Sequence, residues 1–312
     1  MTYNGVKAIR EKIRKRVRAN PFVRQVFLGP YYSLRTSAFA SAALNRKSIR
    51  LYHENKPELD GVEKRIAEDL GRDGIAFTRI QELLPDVRLR DLQSFVEARR
   101  NEAKTGRKKA FLRHIWNNNP VIDPQNPFIT LTLRKRVLDI ANSYLGMYSK
   151  FRFFSLNITV PLSEGTEAQG SQRWHRDPGV RRVCKMFLYV SDVDDLGAGP
   201  FMYVKGSNCG RQFWNLFPQE LSRREGIYPP EGAVEKNVSP EYIIPALGAS
   251  GTIIFCDTLG LHRGGYSTTK ERIMFTALFE SPAGLGAPKF TYPENFEEWK
   301  KGLDKEAAYA VS

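Results

Sequence analysis

Gln172-Arg173-Trp174-His175-Arg176-Asp177-Pro178 holds one of four histidines in a chain of 312 residues, with a carboxylate two places further on. In an extended backbone, residues i and i+2 project to one face, so both side chains can reach a single metal ion. A surface ion pair would use the same letters, and a third ligand has to decide between the two. The candidates are His53, His114 and His262. Of these, His262 alone lies in the strand-rich half, just after the apolar run Thr252-Ile-Ile-Phe-Cys256.

Working outward, the second half reads as short β-branched and aromatic runs bounded by Gly, Pro, Asp and Asn: 152–162, 183–190, 201–204, 252–256 and 272–279. The first half reads as helices over 60–70, 84–105 and 132–144, with a short strand at 74–77. Strands that follow helices without βαβ alternation predict an α+β, mainly β fold. Its expected form is an antiparallel sandwich or barrel with flanking helices. The stretch 211–247 has five prolines and interrupts the strands, as a lid or binding wall would. Three divisions are expected: a basic, partly helical extension over 1–58, a catalytic domain over 59–290 and a tail over 291–312. Within the domain, 59–150 is the helical part and 151–285 the β core.

Composition narrows the function. The 41% apolar content is enough for a sizeable core, and the three scattered cysteines, Cys184, Cys209 and Cys256, form no disulfide framework. With no long apolar run and no signal peptide, a cytoplasmic location is expected. The net charge of +14 is uneven: residues 1–50 carry twelve Lys or Arg against Glu11 alone. Specific nucleic-acid binding by the main body is therefore not expected. Val6, Ile9, Ile13 and Val17 give the extension an apolar stripe. Peripheral contact with an anionic membrane and packing on the catalytic domain both fit it. Oligomeric state is not legible.

Phosphate-loop and serine-hydrolase patterns fail on inspection. Gly197-Ala-Gly199 is followed by Met202 where a third glycine is needed, and Gly248-Ala-Ser-Gly251 by Thr252. Two His and one carboxylate on one octahedral face leave three open positions, as in non-haem Fe(II) oxygenases. A 2-oxo acid would fill two and O2 the third. The far carboxylate of 2-oxoglutarate then needs a cation, and Arg272 at the start of the last strong strand supplies a planar fork.

The span Asn157 to Arg272 resembles the phytanoyl-CoA dioxygenase family of Fe(II)- and 2-oxoglutarate-dependent oxygenases. The resemblance rests on Gln172–Asp177, Lys185–Asp194, Gly199–Ser207, Gly251–Asp257 with His262, and Arg272. It implies a double-stranded β-helix (jelly-roll, cupin-like), with His175, Asp177 and His262 as iron ligands and Arg272 as the 2-oxoglutarate clamp. Asn157, Lys185 and Ser267 are further candidates for co-substrate contact, Ser267 because Gly264 stands where some relatives carry a hydroxyl. Asp177 favours oxygen transfer over halogenation, and Leu278 replaces the second arginine of nucleic-acid demethylases. The implied activity is hydroxylation of a small, or lipid- or glycan-linked, organic substrate, with release of succinate and CO2. Trp174 and 213–217 offer aromatic walls or ordinary core. A metal-binding or membrane-recruited module without turnover is the alternative.

Overall fold

The computed structural model describes residues 37–106, 109–116, 119–163, 165–179, 181–218, 228–284 and 287–312. The basic helix expected over Val6–Val17 lies outside them. Among the described residues, no helix is long and apolar enough to cross a membrane.

Among the described residues, ten strands form two antiparallel sheets. In chain order they are β1 (Ile75–Arg79), β2 (Lys104–Gly106), β3 (Lys109–His114), β4 (Lys150–Thr159), β5 (Val183–Tyr189), β6 (Phe201–Val204), β7 (Ile243–Ala246), β8 (Thr252–Cys256), β9 (His262–Arg263) and β10 (Arg272–Glu280). The large sheet runs β1-β8-β5-β10-β4-β3-β2 and the small one β7-β6-β9. Alternation along the strands divides the core. Cys184, Met186 and Leu188 of β5, with Phe275, Ala277 and Phe279 of β10, face the helices. Phe187 and Tyr189 of β5 face Phe201 and Tyr203 of the small sheet.

The helix expected over 60–70 runs from Gly61 to Asp73. Asp60 and Glu63 close a capping box at its start, and Gly74, at φ 78°, ends it. Gly71 is passed because one interior glycine costs only about 1 kcal/mol against alanine, which the buried stripe of Ile66 and Leu70 outweighs. The helix expected over 84–105 is confined to Leu89–Glu97. Its buried stripe ends with Leu92 and Val96, and 104–106 becomes the edge strand β2. The one expected over 132–144 is two helices, Pro127–Thr132 and Lys135–Leu145. Asn126 accepts from Phe128 N at 3.0 Å and so starts the first of these one turn earlier.

The expected tail, 291–312, instead forms helices Phe296–Lys301 and Lys305–Val311. Ala307, Ala310 and Val311 join the main core, so apolar burial holds this segment in place. Part of the expected extension is also built in: Ser48 and Tyr52 are buried, and Tyr148 N donates to Ser48 O at 3.2 Å. The interrupting stretch 211–247 contributes a helix, Ala233–Asn237, and β7.

Candidate metal centre and anion cleft

The two histidines lie opposite one another across an antiparallel bridge, with His175 N donating to His262 O at 2.9 Å and His262 N to His175 O at 3.0 Å. Asp177 N donates to Thr258 O at 2.8 Å. The 173–177 stretch thus runs along β9, and its alternation sends His175 and Asp177 to the same side. Among the described residues, His175, Asp177 and His262 are the one group of side chains spaced to hold a metal ion.

Backbone carbonyls set the state of both rings. His175 Nδ1 lies 2.8 Å from Arg173 O, and His262 Nδ1 lies 3.0 Å from Gly260 O. A carbonyl only accepts, so each Nδ1 carries the proton and each Nε2 presents its lone pair. Those Nε2 atoms stand 3.7 Å from Asp177 Oδ1 and 3.7 Å from Asp177 Oδ2 respectively. Bonds of about 2 Å from one ion can bridge such gaps. Burial, with His175 adding to it, lowers the His262 pKa to about 3, so the ring is neutral at ordinary pH. Burial alone would raise the Asp177 carboxyl, but the Lys185 ammonium on its Oδ2 opposes this and the carboxyl is held well below the carboxylate range. Lys185 Nζ contacts Oδ2 and leaves Oδ1 directed toward His175. One ligating oxygen with the other held by a donor is the usual outer support of a carboxylate ligand.

The triad opens on a cleft of about 520 Å³ between the sheets. Arg272 lies within it, 4% exposed. Its Nη1 donates to Gly199 O at 2.5 Å and its Nη2 to Thr159 Oγ1 at 3.2 Å, while Nε has no partner. Burial lowers its pKa, with nearby Tyr189 opposing the shift. Gly265 makes room for the guanidinium, since a Cβ there would sit 1.5 Å from Gly199 O and 2.5 Å from Arg272 Nη1. A buried cation lining the cleft, with an unfilled donor and no carboxylate beside it among the described residues, suits an anionic ligand.

Other candidates divide. Asn157 lines the cleft, accepting from His114 Nδ1 at 2.6 Å and donating to Ser155 Oγ at 3.0 Å. His114 is therefore in the cleft but outside the triad, and His53 is exposed on the helix Arg46–Glu54. Ser267 is fully buried, and its hydroxyl is shared between Lys270 O and Gly197 O, away from the cleft lining. Trp174, Phe213, Leu216 and Phe217 pack with Val204, Val234 and Leu261 in a separate cluster and wall no part of the cleft. Phe111, Trp116, Phe153, Phe187 and Phe201 do.

Sequence reasoning missed Arg176, between the two ligands. It is 3% exposed and donates to five carbonyls: Nε to Phe217, Nη1 to Ser207 and Leu259, Nη2 to Phe213 and Leu216, all within 2.7–3.0 Å. This pins the 207–217 loop and the turn before β9 to the ligand strand. Burial brings its pKa down to about 10. Asp257 steadies the same turn, accepting from Tyr144 Oη at 2.6 Å and Leu259 N at 3.0 Å. Carbonyl partners carry no side-chain signal, so nothing in the sequence announces this brace.

No family model matches the chain, and no curated protein matches it. Solved structures do. The epimerase SnoN, in complex with Fe3+, α-ketoglutarate and nogalamycin RO, is 17% identical, with a TM-score of 0.50 over 73% of this chain and 86% of that one. EctD from S. alaskensis, in its apoform, is 16% identical, with a TM-score of 0.50 over 82% of this chain and 90% of its own. At these identities the likeness is one of fold. The chain shares the jelly-roll, cupin-like core with flanking helices.

Proposed function

We propose that the chain is an Fe(II)- and 2-oxoglutarate-dependent dioxygenase of the kind found in the phytanoyl-CoA dioxygenase family. It hydroxylates a small, or lipid- or glycan-linked, organic substrate and releases succinate and CO2. One observation carries the reading: two lone-pair Nε2 atoms and a carboxylate converge in the same cleft as a buried arginine with an unfilled donor. SnoN, with the same fold, is a non-haem α-ketoglutarate-dependent epimerase.

His175, Asp177 and His262 would hold the iron, and Arg272 the far carboxylate of 2-oxoglutarate. Bound iron and co-substrate supply the oxidation of a substrate C–H bond by O2. The residues' own work is to bind and orient. Carbonyls of Arg173 and Gly260 fix the imidazole tautomers, Lys185 fixes the carboxylate, and apolar walls limit water at the reacting centre.

The test is Fe(II)-dependent conversion of 2-oxoglutarate to succinate and CO2 by the full chain. Turnover is expected in the wild type, and loss of at least 100-fold in His175→Ala, Asp177→Ala and His262→Ala. Unchanged turnover in those variants contradicts the ligand set. Iron and 2-oxoglutarate binding without turnover under any substrate mixture would instead identify a module that has kept the site and lost the reaction.

A further inference from the structure

The strand register sets the two ends of the cleft far apart. Arg272 pairs with Thr159 at the start of β10, while Leu278, six residues on, pairs with Lys185 of β5 and Phe153 of β4. At roughly 3.4 Å per residue these rows are about 20 Å apart. Lys289, exposed at the cleft wall, lies with its ammonium 5.5 Å from the centre of the Phe153 ring. Lys289, whose N donates to Arg152 O at 2.8 Å, thus stands beside the Phe153 and Lys185 row, several residues along the sheet from the Arg272 row, so the two cations serve different parts of the cleft.

Charge supplies the second observation. Among the described residues, Asp177 is the one carboxylate lining the cleft, against Arg272, Lys185 and Lys289. A surplus of two positive charges remains. A divalent ion and a dicarboxylate cancel one another, so loading the site does not remove it. Glu280, which feels the Lys289 charge, is already matched by Arg152 3.4 Å away. Beside these charges the cleft lining is largely apolar, with Leu112, Trp116, Phe153 and Met274.

Resting on the function proposed above, we infer that the substrate is an organic anion. It has an apolar body lying on Phe153 and its neighbours, and a carboxylate, phosphate or sulfate held by Lys289. The positive cleft draws such a molecule in, and the lysine fixes which end faces out and hence which carbon faces the metal. Carboxylate and phosphate share this chemistry, and the probes below separate them.

The experiment uses the full chain loaded anaerobically with Fe(II) and 2-oxoglutarate, the loading being followed by calorimetry. Four probes of one shape are then titrated: 3-phenylpropionate, phenethyl phosphate, 3-phenylpropan-1-ol and 3-phenylpropylamine. At least one acid is expected to bind tenfold or more tightly than the alcohol and the amine, and the stronger acid names the anionic group. Lys289→Gln should weaken that acid about tenfold and leave the alcohol and 2-oxoglutarate unchanged, and Lys289→Glu should favour the amine. Equal binding of acid and alcohol, binding of none of the probes, or acid preference surviving Lys289→Glu overturns the inference. Failure of iron or 2-oxoglutarate to load registers earlier, in the first titration, and overturns the reading of the site itself.

Discussion

Arg176, behind the metal ligands, and Arg272, in the cleft, are both buried guanidiniums with no carboxylate within 4 Å among the described residues, and the two are finished differently. Arg176 spends all five N–H groups on five carbonyls. Arg272 lines the cleft, has a carbonyl, a threonine hydroxyl and the nearby Tyr189 hydroxyl about it, and leaves its buried Nε unfilled. A buried charge costs free energy unless dipoles or ions answer it. At Arg176 the fold answers it in full, which is the signature of a brace. At Arg272 the answer is partial, which suits a ligand that arrives later.

The sharpest way to break this contrast is to remove the brace. Arg176→Ala leaves five carbonyls behind in a buried space, with an expected loss on the order of 4 kcal/mol or more, enough to prevent soluble folding. Arg176→Lys has three donors and should recover part of the melting temperature. Arg272→Ala should fold normally, because it removes a buried charge along with the few bonds it makes. If Arg176→Ala and Arg272→Ala lower the melting temperature equally, the two arginines do not differ in the way described.

A smaller effect belongs to Asp257, beside the same turn. Burial raises its pKa to about 6, opposed by the Tyr144 hydroxyl and the backbone N–H groups it accepts from. The folded state therefore binds its proton more tightly than the unfolded one. Stability from this group is present below pH 4 and lost as the pH rises through 6, by on the order of 1–3 kcal/mol. Thermal melts between pH 4 and 7 should show wild type losing ground to Asp257→Asn over that window, and parallel curves would mean Asp257 titrates normally.

The contrast also explains what could be read in the letters. His175 and Asp177 stand two apart in an extended segment, and His262 follows a buried strand, so period and order alone brought the three side chains into view. Arg272 was visible as a cation opening a strand. Arg176 was not, because its partners are carbonyls contributed by five scattered residues. β2 begins at the end of the charged stretch 84–105 that reads as helix, and β3 lies just beyond it in a short basic run, since an edge strand and its neighbour carry little two-sided apolar pattern. Their absence from the reading also concealed the His114–Asn157 pair, which depends on β3 lying against β4. Ser267 failed for a similar reason: a hydroxyl near a ligand in sequence says nothing of which loop carbonyls it answers.

The most direct test of the central claim is anaerobic titration of 2-oxoglutarate into the Fe(II)-loaded chain, comparing wild type, Arg272→Ala and Arg272→Lys. Iron affinity should stay within threefold in all three, since Arg272 is not a metal ligand. The dissociation constant for 2-oxoglutarate should rise at least 100-fold in Arg272→Ala, about 2.7 kcal/mol, with part of it restored by Arg272→Lys, whose point charge lacks the planar fork. Equal 2-oxoglutarate affinity in wild type and Arg272→Ala would contradict the account, for the buried cation lining the cleft would then not hold that anion.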